Sequence, residues 1–238
     1  MVGILFIVST PIGNLEDITF RAVRTLKEAS TIAAEDTRRT KKLCTHFGIG
    51  TPLTSYHDFN KEEKTPIFLH RLQEGDHIAL VSDAGTPLIS DPGFFLVRQA
   101  IAAKIPVVPI PGPSAVLAAL VASGFPTDAF SFDGFVPRKS GARLQLFKRL
   151  ETEGRTTILF ETPHRLRSTL EALRDTVGTR PLAMARELTK LHEEILRGTA
   201  QELLQSVLTK RIKGEVTIVI EGKAGKIRKA SQSQSGES

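Results

Sequence analysis

Short apolar runs that end at loops rich in glycine and proline recur along this chain. In residues 77–114, an apolar run at 77–81 is followed by such a loop, a helical pattern, a second apolar run at 105–110 and a second such loop. Continuous apolar runs are typical of strands buried on both faces of a parallel sheet. The pattern predicts a βαβ unit whose loops share one edge of the sheet, where ligands bind in open α/β folds.

The alternation of strand-like and helix-like patterns continues along the rest of the chain. It predicts further strands at residues 3–8, 31–34, 130–136, 156–160, 181–185 and 216–220, and helices from Thr19 and at 67–72, 115–123, 166–177 and 202–208, with a flexible basic loop at 137–143. Alternating strands and helices indicate an α/β fold. A change in composition near residues 112–126 predicts two α/β domains, 1–115 and 116–222. The basic tail, 223–238, has little to bury and is expected to be disordered.

Composition limits the class of protein. The chain has 238 residues and 40% hydrophobic content, which is enough to bury a core. A single cysteine, Cys44, excludes an internal disulfide and a multi-cysteine metal site, so a reducing compartment such as the cytoplasm is expected. No apolar run approaches the roughly 20 residues of a membrane span, and no membrane association is expected.

Charge leaves two interpretations open. The net charge of +6 suits a polyanionic partner, but it also suits a protein that is merely basic. The strongest local signal is in residues 133–149, where Asp133 is outnumbered by Arg138, Lys139, Arg143, Lys148 and Arg149. A nucleic-acid surface explains this excess about as well as a solvated helix face does.

Several familiar site motifs are missing from the sequence. The chain contains neither of the two glycine-rich phosphate-binding patterns, and Ser114 lacks the flanking glycines of a nucleophile elbow. His192 has no second histidine four residues away, so a zinc protease site is unsupported and no metal is expected. His57 has no visible partner, and a surface or helix-cap role is preferred. The remaining rigid loops, with the carboxylate of Asp83, would suit a sulfonium cofactor.

Six ordered segments resemble one known family: residues 8–17, 34–38, 82–93, 111–115, 160–165 and 185–189. Together they are similar to the branch of the tetrapyrrole-methylase-like family, class III S-adenosylmethionine (SAM) methyltransferases, that methylates a cytidine ribose 2'-hydroxyl in the decoding region of 16S rRNA. The resemblance covers about residues 2–222. It implies two α/β domains with SAM in a cleft between them, a homodimer, and 16S rRNA or the assembled small subunit as substrate.

The resemblance also implies which residues contact the cofactor. In the first domain these are Ile12, Asp83, Ala84, Gly85, Thr86, Ser114 and Ala115, and in the second they are Phe160, Ala185, Gly214 and Glu215. Ser114 also has a purely structural interpretation, as a helix N-cap.

The catalytic candidates come from the same segments and are Asp36, Glu35, Arg38 and His164. Asp36 is the preferred proton acceptor and Glu35 the second, because both stand at a predicted strand end beside Arg38, and His164 is the third. A capped helix start explains residues 35–42 equally well. The side chains expected to hold RNA phosphates are Arg38, Lys139, Arg143 and Arg165. The alternatives are methylation of a tetrapyrrole or another small molecule, and a SAM-binding regulatory module without chemistry.

Overall fold

The computed structural model describes residues 1–90, 93–208 and 212–223, and it confirms the predicted α/β fold class. The chain divides into two compact units, Met1–Ala115 and Val116–Ser238. Each unit contains one five-stranded sheet.

The sheet of the first unit is entirely parallel, with strand order β3-β2-β4-β1-β5. Its strands are β1 (Leu5–Val8), β2 (Thr31–Ala34), β3 (Leu53–Ser55), β4 (Ile78–Val81) and β5 (Val107–Ile110), and its helices are α1 (Phe20–Glu28), α2 (Thr37–His46), α3 (Lys61–Gln73) and α4 (Phe94–Ala102). Successive residues of β4 face opposite layers: Ile78 and Leu80 pack with α3 and α4, whereas Ala79 and Val81 pack with α1 and α2. Burial on both faces explains the continuous apolar runs. All the strand ends that lead through loops to helices lie at one edge.

Helix α5 (Ala115–Ser123) leads into the second unit, whose sheet is mixed with order β6-β7-β10-β8-β9. Its strands are β6 (Phe130–Phe135), β7 (Thr156–Glu161), β8 (Leu182–Arg186), β9 (Glu194–Gly198) and β10 (Val216–Ile220), and its helices are α6 (Ser140–Leu150), α7 (Pro163–Val177) and α8 (Ala200–Leu208). Strand β10 runs antiparallel to β7 and β8. Leu159, Met184 and Ile218 join the core formed with these helices. The alternate residues therefore face the other side of the sheet.

Some boundaries differ from the sequence-based predictions. Helix α3 begins at Lys61 rather than at 67, because Pro66 lies inside the helix instead of before it. Helix α6 begins at Ser140, so the second half of the predicted flexible loop is helical. Strands β3 and β9 were not predicted, because both are edge strands whose residues are mostly half-exposed. Thr19 is confirmed as the N-cap of α1, where its side chain accepts a hydrogen bond from Ala22 N.

The predicted disordered tail, apart from Lys223, lies outside the described residues. Within the described part of the chain, no helix has both the length and the apolar character needed to cross a membrane.

Candidate active site

The loops after β1, β4 and β5 are joined to one another at the carboxyl edge of the parallel sheet. Thr10 N donates to Gly85 O at 2.9 Å, and Gly85 N donates to Thr10 O at 3.0 Å. The Thr86 hydroxyl donates to Pro113 O at 3.2 Å and lies 3.0 Å from the Ser9 hydroxyl. The three loops therefore form one connected surface, in which the predicted cofactor residues Gly85 and Thr86 are structural members.

Close approach of the backbone explains the composition of these loops. A Cβ atom on Gly112 would lie 2.9 Å from Ser9 Cβ, and Gly85 has a φ of +79° with only Ile12 and Pro113 nearby. Leu88 and Ser90 also have positive φ values, of 73° and 66°, which residues other than glycine rarely adopt. Strained backbone of this kind is found preferentially at ligand sites.

One buried hydroxyl in this surface lacks a partner. Thr10 is only 4% exposed, and its Oγ1 has no hydrogen-bond partner among the described residues. A buried polar atom without a partner is unfavourable unless a ligand or water satisfies it. Thr10 stands next to Gly85, Ile12 follows two residues later, and Ser114 immediately precedes α5. These residues fit a small ligand that carries polar groups, as the SAM site implied by the resemblance requires.

Asp83 connects this surface to the loop after β2. Its Oδ1 accepts a hydrogen bond from Asp36 N at 2.9 Å, and its Oδ2 lies 3.4 Å from Arg39 Nη1. Its side chain is 28% exposed, so part of the carboxylate remains open to solvent. Asp83 therefore has a positioning role in the free protein. No sequence pattern predicts this contact, because the two aspartates are far apart in the chain.

Asp36 is the N-cap of α2, where it accepts a hydrogen bond from Arg38 N. The Arg38 guanidinium also binds both carboxylate oxygens, at 3.1 and 2.8 Å. The hydrogen bonds from Arg38 lower the pKa of Asp36 to about 2. Asp36 is thus ionised at neutral pH, but it is a weak proton acceptor while Arg38 stays paired with it. Glu35 is half-buried beside it.

Two candidate cofactor residues of the second unit, Phe160 and Ala185, lie in one row across its sheet. Thr217 of β10 pairs with Phe160 of β7 on one side and with Ala185 of β8 on the other. These residues lie on the face turned away from α6, α7 and α8. The Phe160 ring contacts Phe132 and Phe135 edge-on, with centroids 4.8 and 5.4 Å away.

Gly214 and Glu215 lie just before β10, beside the loop that follows β8. Gly214 has a φ of +85°, and a Cβ there would overlap the side chain of Glu187. The Glu187 carboxylate accepts hydrogen bonds from Glu215 N at 3.1 Å and from Lys190 Nζ at 2.9 Å. Lys190 also binds the Glu215 carboxylate at 3.0 Å. Gly214 is therefore required locally, and Glu215 is already engaged in an ion pair.

The start of α7 holds a buried ion pair. Glu161 has no exposed side-chain surface, and its Oε1 lies 2.6 Å from Arg165 Nη2. Arg165 also donates to Val136 O at 2.9 Å, and Thr169 donates to Glu161 Oε2 at 2.6 Å. Any RNA phosphate would compete with these partners for Arg165. His164, by contrast, is exposed on the first turn of α7.

The basic segment at the start of α6 is more available. Lys139 is the exposed N-cap residue and Arg143 is half-exposed. Neither forms an ion pair within the described part of the chain, whereas Arg149 pairs with Asp133. Among the described residues, no three His, Cys, Asp or Glu side chains are grouped to hold a metal ion.

Sequence reasoning missed three residues in these loops: Thr10, Arg39 and Lys190. Thr10 lies within a segment that carried the resemblance, but nothing in the pattern showed that its hydroxyl is buried. The preferred roles for His57 are also revised. Its Nδ1 is buried and lacks a partner among the described residues, and Asn60 rather than His57 precedes α3 as its N-cap.

The chain matches the family model for tetrapyrrole (corrin/porphyrin) methylases over residues 5–204. It is 52% identical to ribosomal RNA small subunit methyltransferase I of Halalkalibacterium halodurans, an alignment that covers 94% of this chain and 78% of that protein. The protein of the same name from Thermotoga maritima is 47% identical, with 93% of this chain and 99% of that protein covered.

Solved structures show the same fold at low identity. Diphthine synthase superposes with a TM-score of 0.69 at 15% identity, over 92% of this chain and 90% of that one. Cobalt precorrin-4 methyltransferase superposes with a TM-score of 0.67 at 19% identity, over 92% of this chain and 94% of that one. These likenesses bear on the fold alone.

Proposed function

The chain belongs to the tetrapyrrole methylase family, and on this premise we propose that it is a SAM-dependent methyltransferase of small-subunit ribosomal RNA. Its proposed acceptor is the ribose 2'-hydroxyl of a cytidine in the decoding region of 16S rRNA. The observation that carries the proposal is 52% identity, over 94% of the chain, to a protein named as a methyltransferase of small-subunit ribosomal RNA.

The proposed cofactor residues in the first unit are those on the connected loops. Gly85 and Gly112 allow close approach to the backbone, and the orphaned Thr10 hydroxyl supplies a polar contact. The partly exposed carboxylate of Asp83 favours a cationic ligand electrostatically. When bound, SAM supplies a methyl group on a sulfonium, which leaves the protein to align the acceptor oxygen and to take up its proton. Phe160, Ala185, Gly214 and Glu215 remain proposed contacts from the second unit.

The proposed proton acceptor is Asp36, followed by Glu35 and His164. Arg38 is 88% exposed at its side chain, so an RNA phosphate can compete for its guanidinium. If Arg38 left Asp36 to bind a phosphate, the main cause of the low pKa of Asp36 would be removed, and the carboxylate would become a better base. RNA binding would in this way prepare Asp36 for proton uptake.

The proposed RNA contacts differ in availability. Lys139 and Arg143 lack ion-pair partners among the described residues, so binding a phosphate breaks no existing ion pair. Arg165 would have to leave the buried Glu161, which makes it the weakest of the four candidates. A single-stranded or flipped cytidine is the expected target, because protein side chains read RNA mainly in unpaired regions.

Methyl transfer with isotopically labelled SAM tests the proposal. The protein is incubated separately with 16S rRNA, assembled small subunits and tetrapyrroles, and the RNA is digested to nucleosides. Label in 2'-O-methylcytidine is the expected result. A second portion of the RNA, hydrolysed with alkali instead, should carry the label in a resistant dinucleotide, because methylation removes the hydroxyl that attacks the neighbouring phosphate. Label on a base, or in the tetrapyrrole alone, would contradict the proposal. Heat-inactivated protein is the control.

We also propose the homodimer implied by the resemblance. Light scattering at micromolar concentration should give twice the mass of the 26.0 kDa chain. A mass near that of one chain would contradict it.

A further inference from the structure

The loop between β3 and α3, residues 56–60, carries a phenylalanine that the chain does not cover. Phe59 is 99% exposed, whereas Tyr56 in the same loop is 1% exposed and joins the core. Full exposure of a large aromatic ring gives no stability to the fold, because burial is what makes such rings stabilising. A contact outside the chain would use this surface.

The loop that presents Phe59 is well ordered by its own hydrogen bonds. Asn60 Oδ1 accepts from His57 N at 2.8 Å, and Asn60 Nδ2 donates to Ser55 O at 3.1 Å. The His57 ring lies edge-on to the Phe59 ring, with centroids 6.1 Å apart. Phe59 is therefore displayed by a fixed backbone, and a fixed contact residue loses less entropy when it binds.

The position of the loop places Phe59 near the proposed reaction. Strand β3 pairs in parallel with β2, in register Ala34 to Ser55, and Tyr56 N donates to Ala34 O at 2.8 Å. Residues 56–60 thus leave the same edge of the sheet as Asp36 does. Asp83 follows β4, two strands from β3, which corresponds to about 10 Å at the usual strand spacing. That distance is roughly three stacked bases at about 3.4 Å each.

The basic helix beside this loop favours nucleic acid as the occupant, and the acid next to Phe59, Asp58, is paired with Lys61 at 2.9 Å. Helix α2 begins next to it and carries the exposed side chains of Arg38, Arg39, Lys41 and Lys42. Neither Lys41 nor Lys42 forms an ion pair within the described part of the chain. Exposed aromatic rings beside cationic side chains are the usual combination in single-stranded nucleic-acid sites. A second protein copy would be expected to prefer surfaces depleted of lysine.

We propose that Phe59 stacks on a base of the unpaired RNA strand, within a few nucleotides of the methylated cytidine, while the basic start of α2 holds the neighbouring phosphates. This inference rests on the proposed function, and it adds a specific contact for the RNA. Stacking is tolerant of base identity, so Phe59 contributes to affinity and alignment rather than to the choice of base.

Three substitutions at Phe59 test the proposal against a matched control. Phe59→Ala should raise KM for the RNA roughly 5- to 100-fold with a smaller change in kcat, Phe59→Tyr should stay close to wild type, and Phe59→Leu should resemble Phe59→Ala. SAM affinity measured by calorimetry should not change. The control is Phe20→Ala, because Phe20 is 97% exposed but lies at the start of α1, which follows β1, three strands away from β3 in the sheet.

Each outcome decides between Phe59 and the wider proposal. Phe59→Ala at wild-type KM, Phe59→Leu as active as Phe59→Tyr, or an equal loss in Phe20→Ala would overturn the stacking role. A changed mass of Phe59→Ala in light scattering would assign the ring to a second copy instead. Wild-type protein that methylates none of the RNA substrates would overturn the proposed function, which distinguishes that failure from a failure at Phe59.

Discussion

Within each unit, contacts join the loops at one edge of the sheet, and the kind of contact differs between the two units. In the first unit, neutral hydrogen bonds join Thr10 to Gly85 and Ser9 to Thr86. In the second, charged side chains make the main contacts: Lys190 bridges Glu187 and Glu215, and Glu161 binds Arg165. Neutral contacts between backbones are short and insensitive to pH, and they leave polar atoms free for a ligand. Ion pairs position loops as well, but acid and salt weaken them.

The same difference separates residues that hold loops in position from residues proposed to take part in binding or in the reaction. The charged contacts of the first edge involve Asp36 and Asp83: Asp36 pairs with Arg38 and Asp83 pairs with Arg39. Asp83 also accepts a hydrogen bond from the backbone of Asp36. The remaining contacts there are neutral, so a change of charge at either aspartate should alter chemistry or binding more than stability. In the second unit, a change of charge should alter stability first.

The largest expected effect is on the reaction rate, in Asp36→Asn. Asparagine is as good an N-cap as aspartate, so α2 should be preserved while proton uptake is lost. A well-placed base contributes roughly 10² to 10⁴ in rate, so the single-turnover rate on small subunits should fall by about that factor. SAM affinity should be unchanged.

Arg38→Gln is the companion variant for Asp36. It removes a cation that is proposed to bind an RNA phosphate, so it should weaken RNA binding. It also removes the main cause of the low pKa of Asp36, so the chemical step should not be abolished at saturating RNA. Asp36→Asn with near-wild-type single-turnover rates would transfer the role to Glu35 or His164.

The next largest effect is on stability, in Glu161→Ala. Removing one partner of a buried ion pair leaves the other charge unpaired, and about 3 kcal/mol of unfolding free energy should be lost, since Arg165 keeps 24% of its side-chain exposure. Chemical denaturation measures this. The matched control is Glu171→Ala on α7, the helix that carries Arg165, which breaks the exposed pair with Arg167 and should cost less than about 1 kcal/mol. Equal losses in the two variants would contradict the assigned difference.

Sequence patterns predicted the buried strands better than the exposed ones. Ile78–Val81 and Val216–Ile220 are buried at every position, which leaves an unmistakable apolar run. Edge strand Glu194–Gly198 has one neighbour and mostly half-exposed residues, so its composition resembles that of a loop. Pro66 suggested a break in α3 because proline usually ends a helix, whereas here the helix continues through it.

The candidate site was predictable in its location but less so in its contacts. The alternation of strands and helices, with Gly- and Pro-rich loops after the strands, is enough to indicate this edge of the sheet. Long-range contacts such as Asp83 with Asp36 N, or Glu187 with Glu215 N, depend on where separate loops meet in space. No local sequence pattern predicts which loops come into contact.

A moderate effect on cofactor binding is expected for Asp83. Asp83→Ala should weaken SAM binding by about 1 to 3 kcal/mol, measured by calorimetry, if the carboxylate forms a charge-assisted hydrogen bond. Asp83→Asn keeps an oxygen that can accept a hydrogen bond from Asp36 N but removes the charge. It therefore separates the role of Asp83 in positioning the loop from the role of its charge in binding the cofactor. A loss in both variants assigns the charge to the cofactor, and a loss in Asp83→Ala alone assigns Asp83 to loop positioning. Unchanged affinity in both removes Asp83 from the cofactor site.

The smallest effect is expected for Lys190→Met, and it tests the contrast between the edges most directly. The hydrogen bond from Lys190 lowers the pKa of Glu187 below its ordinary 4.5 in the folded protein. This contribution to stability is therefore complete above that value and is lost as pH falls through the lower folded pKa. Lys190 is 30% exposed, so the loss in Lys190→Met at pH 7 should be about 1 kcal/mol or less.

The pH dependence of that loss distinguishes a charged contact from a neutral one. Thermal unfolding should show the difference in stability between wild type and Lys190→Met narrowing as the pH is lowered from 7 to below 4.5, and also in high salt, because protonated Glu187 no longer attracts Lys190. Thr86→Val is the matched variant in the first unit, since it removes hydrogen bonds to Ser9 and Pro113 that carry no charge. Its effect should be the same at both pH values. A gap for Lys190→Met that is independent of pH, or one for Thr86→Val that narrows in acid, would show that the two edges are not held by different kinds of contact.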